Sequence, residues 1–159
     1  MVSITLPSKI EKRLREECER RGVSDEELIL EALSEFLNID PESKSEVHIS
    51  LSEKYAREMD EFLEKGDYVQ ASEKAWEAAS QILKAVASKR GKELKSHGEL
   101  HKFVSELREE TGDQELRRLW QVATSLHQNF YENWLPEGIV RESIEDVKRF
   151  VEKLRELCR

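Results

Sequence analysis

The stretch DYVQASEKAWEAASQILKAVASKR, residues 67–90, decides how most of this chain folds. Asp67 stands where an N-cap accepts a backbone N–H from the first turn, and Gln70 supports it from three residues on. Ala75, Trp76, Ala79, Ile82, Leu83 and Val86 recur at helical spacing and mark a buried stripe. Alanines at 71, 75, 78, 79, 85 and 87 favour helix and let a neighbour approach closely. Before this stretch, Ser50 and Glu53 form a capping box that opens a helix carrying Tyr55, Met59, Phe62 and Leu63, ended near Gly66. After it, Ser96 and Glu99 box another helix, with Leu100, Phe103, Val104 and Leu107 inward. Thr111-Gly112-Asp113 starts a fourth, which turns Leu116, Leu119, Trp120, Ala123, Leu126 and Phe130 inward and ends at Trp134-Leu135-Pro136. The last begins near Ile139 and carries Ile144, Val147, Val151 and Leu154. Helices joined by short links predict an antiparallel bundle over residues 50–159.

The opening residues read differently. Residues 2–6 (VSITL) alternate apolar and polar, the pattern of a strand with one buried face, and Pro7 stops it. Ser8 and Glu11 form a capping box for a helix whose Ile10, Leu14 and Cys18 share one face. Gly22 ends that helix, and Ser24 with Glu27 caps the next, striped by Leu28, Ile29, Ala32, Leu33 and Phe36. A lone strand exposes unpaired backbone groups, so this segment predicts a homodimer in which two copies pair. The polar, aperiodic residues 40–49, with Pro41, read as a linker, and VHISL (47–51) as a short extended entry. The expected organisation is a dimerisation module over 1–39, a linker over 40–49 and a helical bundle over 50–159.

Composition narrows the function classes. Charged residues make up 38% of the 159 and the net charge is −8, which argues against a general nucleic-acid coat protein. Cys18 and Cys158 match no metal or redox spacing. No signal peptide appears, and no apolar run approaches the roughly 20 residues of a membrane helix, so the expectation is a cytoplasmic protein without a membrane partner. There is no Gly-rich phosphate loop, no nucleophile elbow and no Cys–His pattern, and nothing predicts a cofactor.

Residues 2–37 resemble the ribbon-helix-helix DNA-binding family, best over GVSDEELI (22–29). The resemblance implies paired strands in the major groove, with Met1, Ser3 and Thr5 facing bases, and a phosphate at the helix start around Ser24. Residues 1–40 hold six Lys/Arg and ten Asp/Glu, a net of −4 that opposes phosphate binding. The bundle resembles the archaeal PaREP family, a branch of the HEPN-like helical bundles. That resemblance rests on LHQNFYENW (126–134), GDYVQASEKAW (66–76) and Ser96-His97. It implies a dimer. Some HEPN-like proteins are metal-independent ribonucleases, others bind nucleotides or nucleic acid, and many have lost catalysis. The nuclease members separate an Arg from a His by four to six residues on one helix. His127 matches the His, but the Arg positions hold Val122, Gln121 and Trp120.

The residues that remain suggest binding. His127, Tyr131 and Trp134 lie near one another at helical spacing. His127, Asn129 and Tyr131 are candidate contacts to a base or nucleotide, while Phe130 and Trp134 also suit a core. Residues 88–97 (SKRGKELKSH) form the densest basic stretch, and Lys89, Arg90, Lys92, Lys95 and His97 are candidate phosphate contacts. The competing reading is C-cap chemistry, since cations favour helix C-termini. His97 and His101 stand at i, i+4 without a third metal ligand at useful spacing. The expected fold is all-α: a ribbon-helix-helix with one short strand and two helices, then an antiparallel HEPN-like bundle. The expected function is a non-enzymatic dimeric binding protein, a DNA-binding regulator whose bundle binds RNA or nucleotide. A ribonuclease and a structural oligomer are the alternatives.

Overall fold

The computed structural model describes residues 2–159, and all regular structure among them is helical. The chain divides into two compact units, Met1–Ile39 and Asp40–Arg159.

The first unit holds α1 (Ser8–Arg21) and α2 (Asp25–Phe36). The expected strand over residues 2–6 does not form, so the ribbon-helix-helix is not the fold seen. A strand exists only while another strand takes its N–H and C=O groups, and none of the described residues does so. Met1 lies outside the described residues. Pro7, not Ser8, holds the N-cap place, and its carbonyl accepts the N–H groups of Ile10 (2.9 Å) and Glu11 (3.0 Å). Gly22 ends α1 in the left-handed conformation, φ 68°, with its N–H on Cys18 O at 2.8 Å. Ser24 Oγ caps α2 by accepting from Glu27 N at 3.1 Å. The helix stripes remain open: α1 buries no residue, α2 buries only Glu27, and Ile10, Leu33 and Phe36 are exposed.

The second unit packs α3 (Pro41–Glu64), α4 (Tyr68–Lys89), α5 (His97–Thr111), α6 (Glu115–Glu132) and α7 (Glu137–Leu157). Residues 41–49, read as linker, and the VHISL segment belong to α3. Asp40 caps it by accepting from Ser43 N at 2.9 Å, and Pro41 sits just inside, where its fixed φ suits a first turn. Ser50 and Glu53 therefore lie within the helix instead of opening it.

Four helices contact α4, namely α3, α5, α6 and α7. Buried Ser45 and Ser52 of α3 donate to the carbonyls of Ala85 and Ala78, each at 2.8 Å. Only side chains as small as alanine let two backbones come this close. Trp76, Ile82, Leu83 and Val86 of α4 share one core with Phe103, Leu107, Leu116, Leu126, Ile144 and Phe150. Among the described residues, no helix is long and apolar enough to cross a membrane.

Candidate ligand-binding site

Trp76 of α4 is 3% exposed. His127 of α6 stacks on it, ring centroids 4.6 Å apart at 21°. Glu73 stands three residues before Trp76, so it shares that side of α4. Its Oε2 lies 2.9 Å from His127 Nδ1. A carboxylate accepts, so Nδ1–H donates to it, and whenever the ring is neutral its lone pair is on Nε2. His97, the first residue of α5, stands edge-on to both Trp76 (5.5 Å) and His127 (5.4 Å). Burial and the neighbouring His127, His101 and Lys84 hold its imidazole below the usual range, against the pull of Glu73. Tyr131, one turn beyond His127, packs edge-on to it at 5.4 Å yet is 67% exposed. Burial and the Glu73 charge push its phenol up.

The fold thus brings His97, His127 and Tyr131 together and separates the other candidates from them. Asn129 is buried, donates to Ser72 Oγ at 3.0 Å, and accepts from Trp134 N (3.0 Å) and Leu135 N (2.8 Å). Its oxygen is saturated in closing the end of α6. Asn133, in the left-handed conformation at φ 49°, turns the chain there and leaves Trp134 62% exposed instead of in the core.

The basic stretch is already engaged. Lys89 donates to the carbonyl of Cys158. Arg90 pairs with Glu110, Lys92 with Glu106 at 2.9 Å, and Lys95 with Glu93 at 3.4 Å. These contacts fasten the α4–α5 connection to the bundle. Ser3 and Thr5 sit on exposed, non-helical backbone, and Ser24 is occupied as a cap. His101 Nδ1 accepts from Trp120 Nε1–H at 2.8 Å. Among the described residues, no group of three or more His, Cys, Asp or Glu could hold a metal ion.

Glu73 is the residue of the candidate site that sequence reasoning missed. The only signal was its position three residues before Trp76, at the edge of the stripe. One turn on, Glu77 is largely buried and lies 2.9 Å from Lys74. Lys74 also reaches Glu58 at 3.2 Å and sits over the Tyr55 ring at 4.9 Å. Burial pushes the Glu77 carboxyl up to about 7, outweighing the pull of Lys74.

An all-helical bundle with a histidine–tryptophan cluster between α4, α5 and α6 defines the class of protein. The chain belongs to the archaeal PaREP1/PaREP8 family, whose model matches residues 47–151. A crystal structure of a protein from Sulfolobus solfataricus is similar. It is 32% identical, covers 68% of this chain and 96% of its own length, and superposes with a TM-score of 0.61. No curated protein matches the chain.

Glu77 makes stability depend on pH. The folded carboxyl keeps its proton up to about pH 7, the unfolded one only to about 4.5. The folded state binds more protons between those values, so stability falls as pH rises through them. The loss is on the order of 3 kcal/mol for a shift of this size. Urea denaturation at about pH 5 and about pH 8 should show that fall in the wild type and a flatter profile in Glu77→Gln. Identical profiles in the two proteins would refute it.

Proposed function

We propose that this is a dimeric, non-enzymatic binding protein whose helical bundle takes a nucleotide, free or within single-stranded RNA. The observation that carries the reading is the His97–His127–Tyr131 cluster on Trp76. His127 is oriented by Glu73, and its Nε2 can accept from a base N–H. Exposed Tyr131 offers a ring and a hydroxyl, and exposed Trp134 offers a second ring three residues on. Stacking of a base on such a ring contributes about 1–3 kcal/mol and needs no net positive charge. It therefore suits a chain of net charge −8. The same reading takes the bundle as HEPN-like, supported by its all-helical build and by the residues 126–134 that contain His127.

The dimer is supported by the first unit. Its helices bury no apolar residue, while Val2, Ile4, Ile10, Leu33, Phe36 and Leu37 are exposed. Units below about 40 residues usually need a disulfide, a metal or a partner. Cys18 is a free cysteine, and a second copy would cover the apolar faces.

A metal-independent ribonuclease is the second reading, and the Glu73–His127 pair favours it, because a carboxylate-oriented imidazole is a general base. The cation that would stabilise the transition state is missing from positions 120–122, which hold Trp, Gln and Val. The expected result is no RNA cleavage in EDTA. Turnover that is lost in His127→Ala would promote the second reading.

Binding is tested by fluorescence anisotropy with a labelled single-stranded oligoadenylate. Tyr131→Ala should weaken affinity roughly tenfold through lost stacking, and His127→Ala should weaken it too. Unchanged affinity in both variants would overturn the reading. Sedimentation tests the dimer: wild type should sediment as a dimer at micromolar concentration, and Leu33→Lys should shift it towards monomer. A wild-type monomer with a fully folded first unit would contradict it.

A further inference from the structure

We propose that the groove between α5 and α6 is an oxyanion site that takes a phosphate group. The groove encloses about 130 Å³ and is lined by His101, Ser105, Arg108, Arg117, Trp120 and Gln121, with Val104 at its wall. That is well below the ~300 Å³ at which pockets for whole drug-sized molecules begin, and it suits a headgroup.

The polar groups of the groove are donors. Trp120 Nε1–H can only donate, and it does so to His101 Nδ1 at 2.8 Å. His101, accepting at Nδ1, then carries its proton on Nε2, which makes that nitrogen a donor. Arg108 Nε is buried and, among the described residues, has no hydrogen-bond partner. Arg108 pairs with Glu109 at 3.4 Å, and that carboxylate side chain is 71% exposed. Arg117 bonds Gln121 Oε1 at 3.0 Å, which holds the guanidinium in place and turns the amide NH₂ into a further donor. Ser105 adds a hydroxyl.

No acidic residue lines this groove, in a chain with 34 Asp and Glu. Lys74, Lys92, Lys148 and Lys153 of the same bundle all pair with carboxylates, whereas Arg117 has no carboxylate partner among the described residues. Two guanidinium groups, an imidazole N–H, an amide and a hydroxyl around a small opening are a phosphate-binding set.

The groove also adjoins the histidine–tryptophan cluster. Trp120 is 5.0 Å from Trp76, and His101 stands one turn beyond His97 on α5. Arg117 and Tyr131 stand 14 residues apart on α6, about 21 Å along its axis, so only an extended ligand such as an oligonucleotide would reach both the groove and the stacking ring. That link rests on the nucleotide reading above, while the groove's own chemistry does not.

The test is a ¹H–¹⁵N NMR titration of the full chain at constant ionic strength, following the Trp120 indole and the arginine Nε–H resonances. The probes are inorganic phosphate, adenosine, adenosine monophosphate and single-stranded oligoadenylate. Inorganic phosphate should shift the Trp120 indole and Arg108 signals saturably. Arg117→Glu, a change at an exposed position, should raise the dissociation constant at least about tenfold, the value of a charged hydrogen bond. Tighter binding of adenosine monophosphate than of phosphate or adenosine would identify a free nucleotide as the source. Tighter binding of the oligonucleotide would identify an RNA backbone. Phosphate that leaves these signals unmoved, or moves them equally in wild type and Arg117→Glu, overturns the proposal. If adenosine or oligoadenylate still binds at Tyr131 in that case, the nucleotide reading stands without the groove. If phosphate shifts the groove while adenosine and oligoadenylate do not bind, the groove stands and the nucleotide reading falls.

Discussion

How closely other helices can approach α4 governs the larger unit. Its alanines remove the side-chain bulk that normally holds helix axes apart. Helix α3 comes near enough for Ser45 and Ser52 to reach carbonyls of α4 itself. Residues of α6 and α7 join Ile82, Leu83 and Val86 in one core. Trp76 adds a large ring to a buried stripe that also carries Ile82, Leu83 and Val86. His127, His97 and Trp120 all gather round that ring. The candidate site is thus built round one buried aromatic side chain.

Sequence reasoning recovers what is local. Asp67 and Ser96 cap the helices they were expected to cap, because an N-cap bond spans only three residues. The alanine-rich stripe of α4 is buried as its spacing requires. It fails where a pattern is conditional or brief. VSITL alternates like a strand, but alternation becomes a strand only when a second strand is present. VHISL is too short to choose between periods of 2 and 3.6, and the strong start at Asp40-Pro41 carries it into α3. Trp134 reads as core by spacing, yet the left-handed turn at Asn133 lifts it out.

The site was half visible for the same reason. His127 and Tyr131 are one turn apart, so their proximity follows from helix geometry alone. Glu73 lies 54 residues from His127 in sequence, and no periodicity connects them. Basic residues misled in a related way. A dense run such as 88–97 attracts attention, but its cations are held by Glu93, Glu106, Glu110 and the carbonyl of Cys158. The Arg117-Arg118 pair is short beside that run, and Arg117 bonds Gln121 instead of a carboxylate.

The central claim is that Glu73 fixes the orientation and tautomer of His127 against Trp76. It is tested most directly by ¹⁵N NMR of the His127 imidazole at neutral pH. The account predicts a protonated Nδ1 and an unprotonated Nε2, with this preference lost in Glu73→Gln. A proton on Nε2 in the wild type, or a spectrum unchanged by Glu73→Gln, would contradict it.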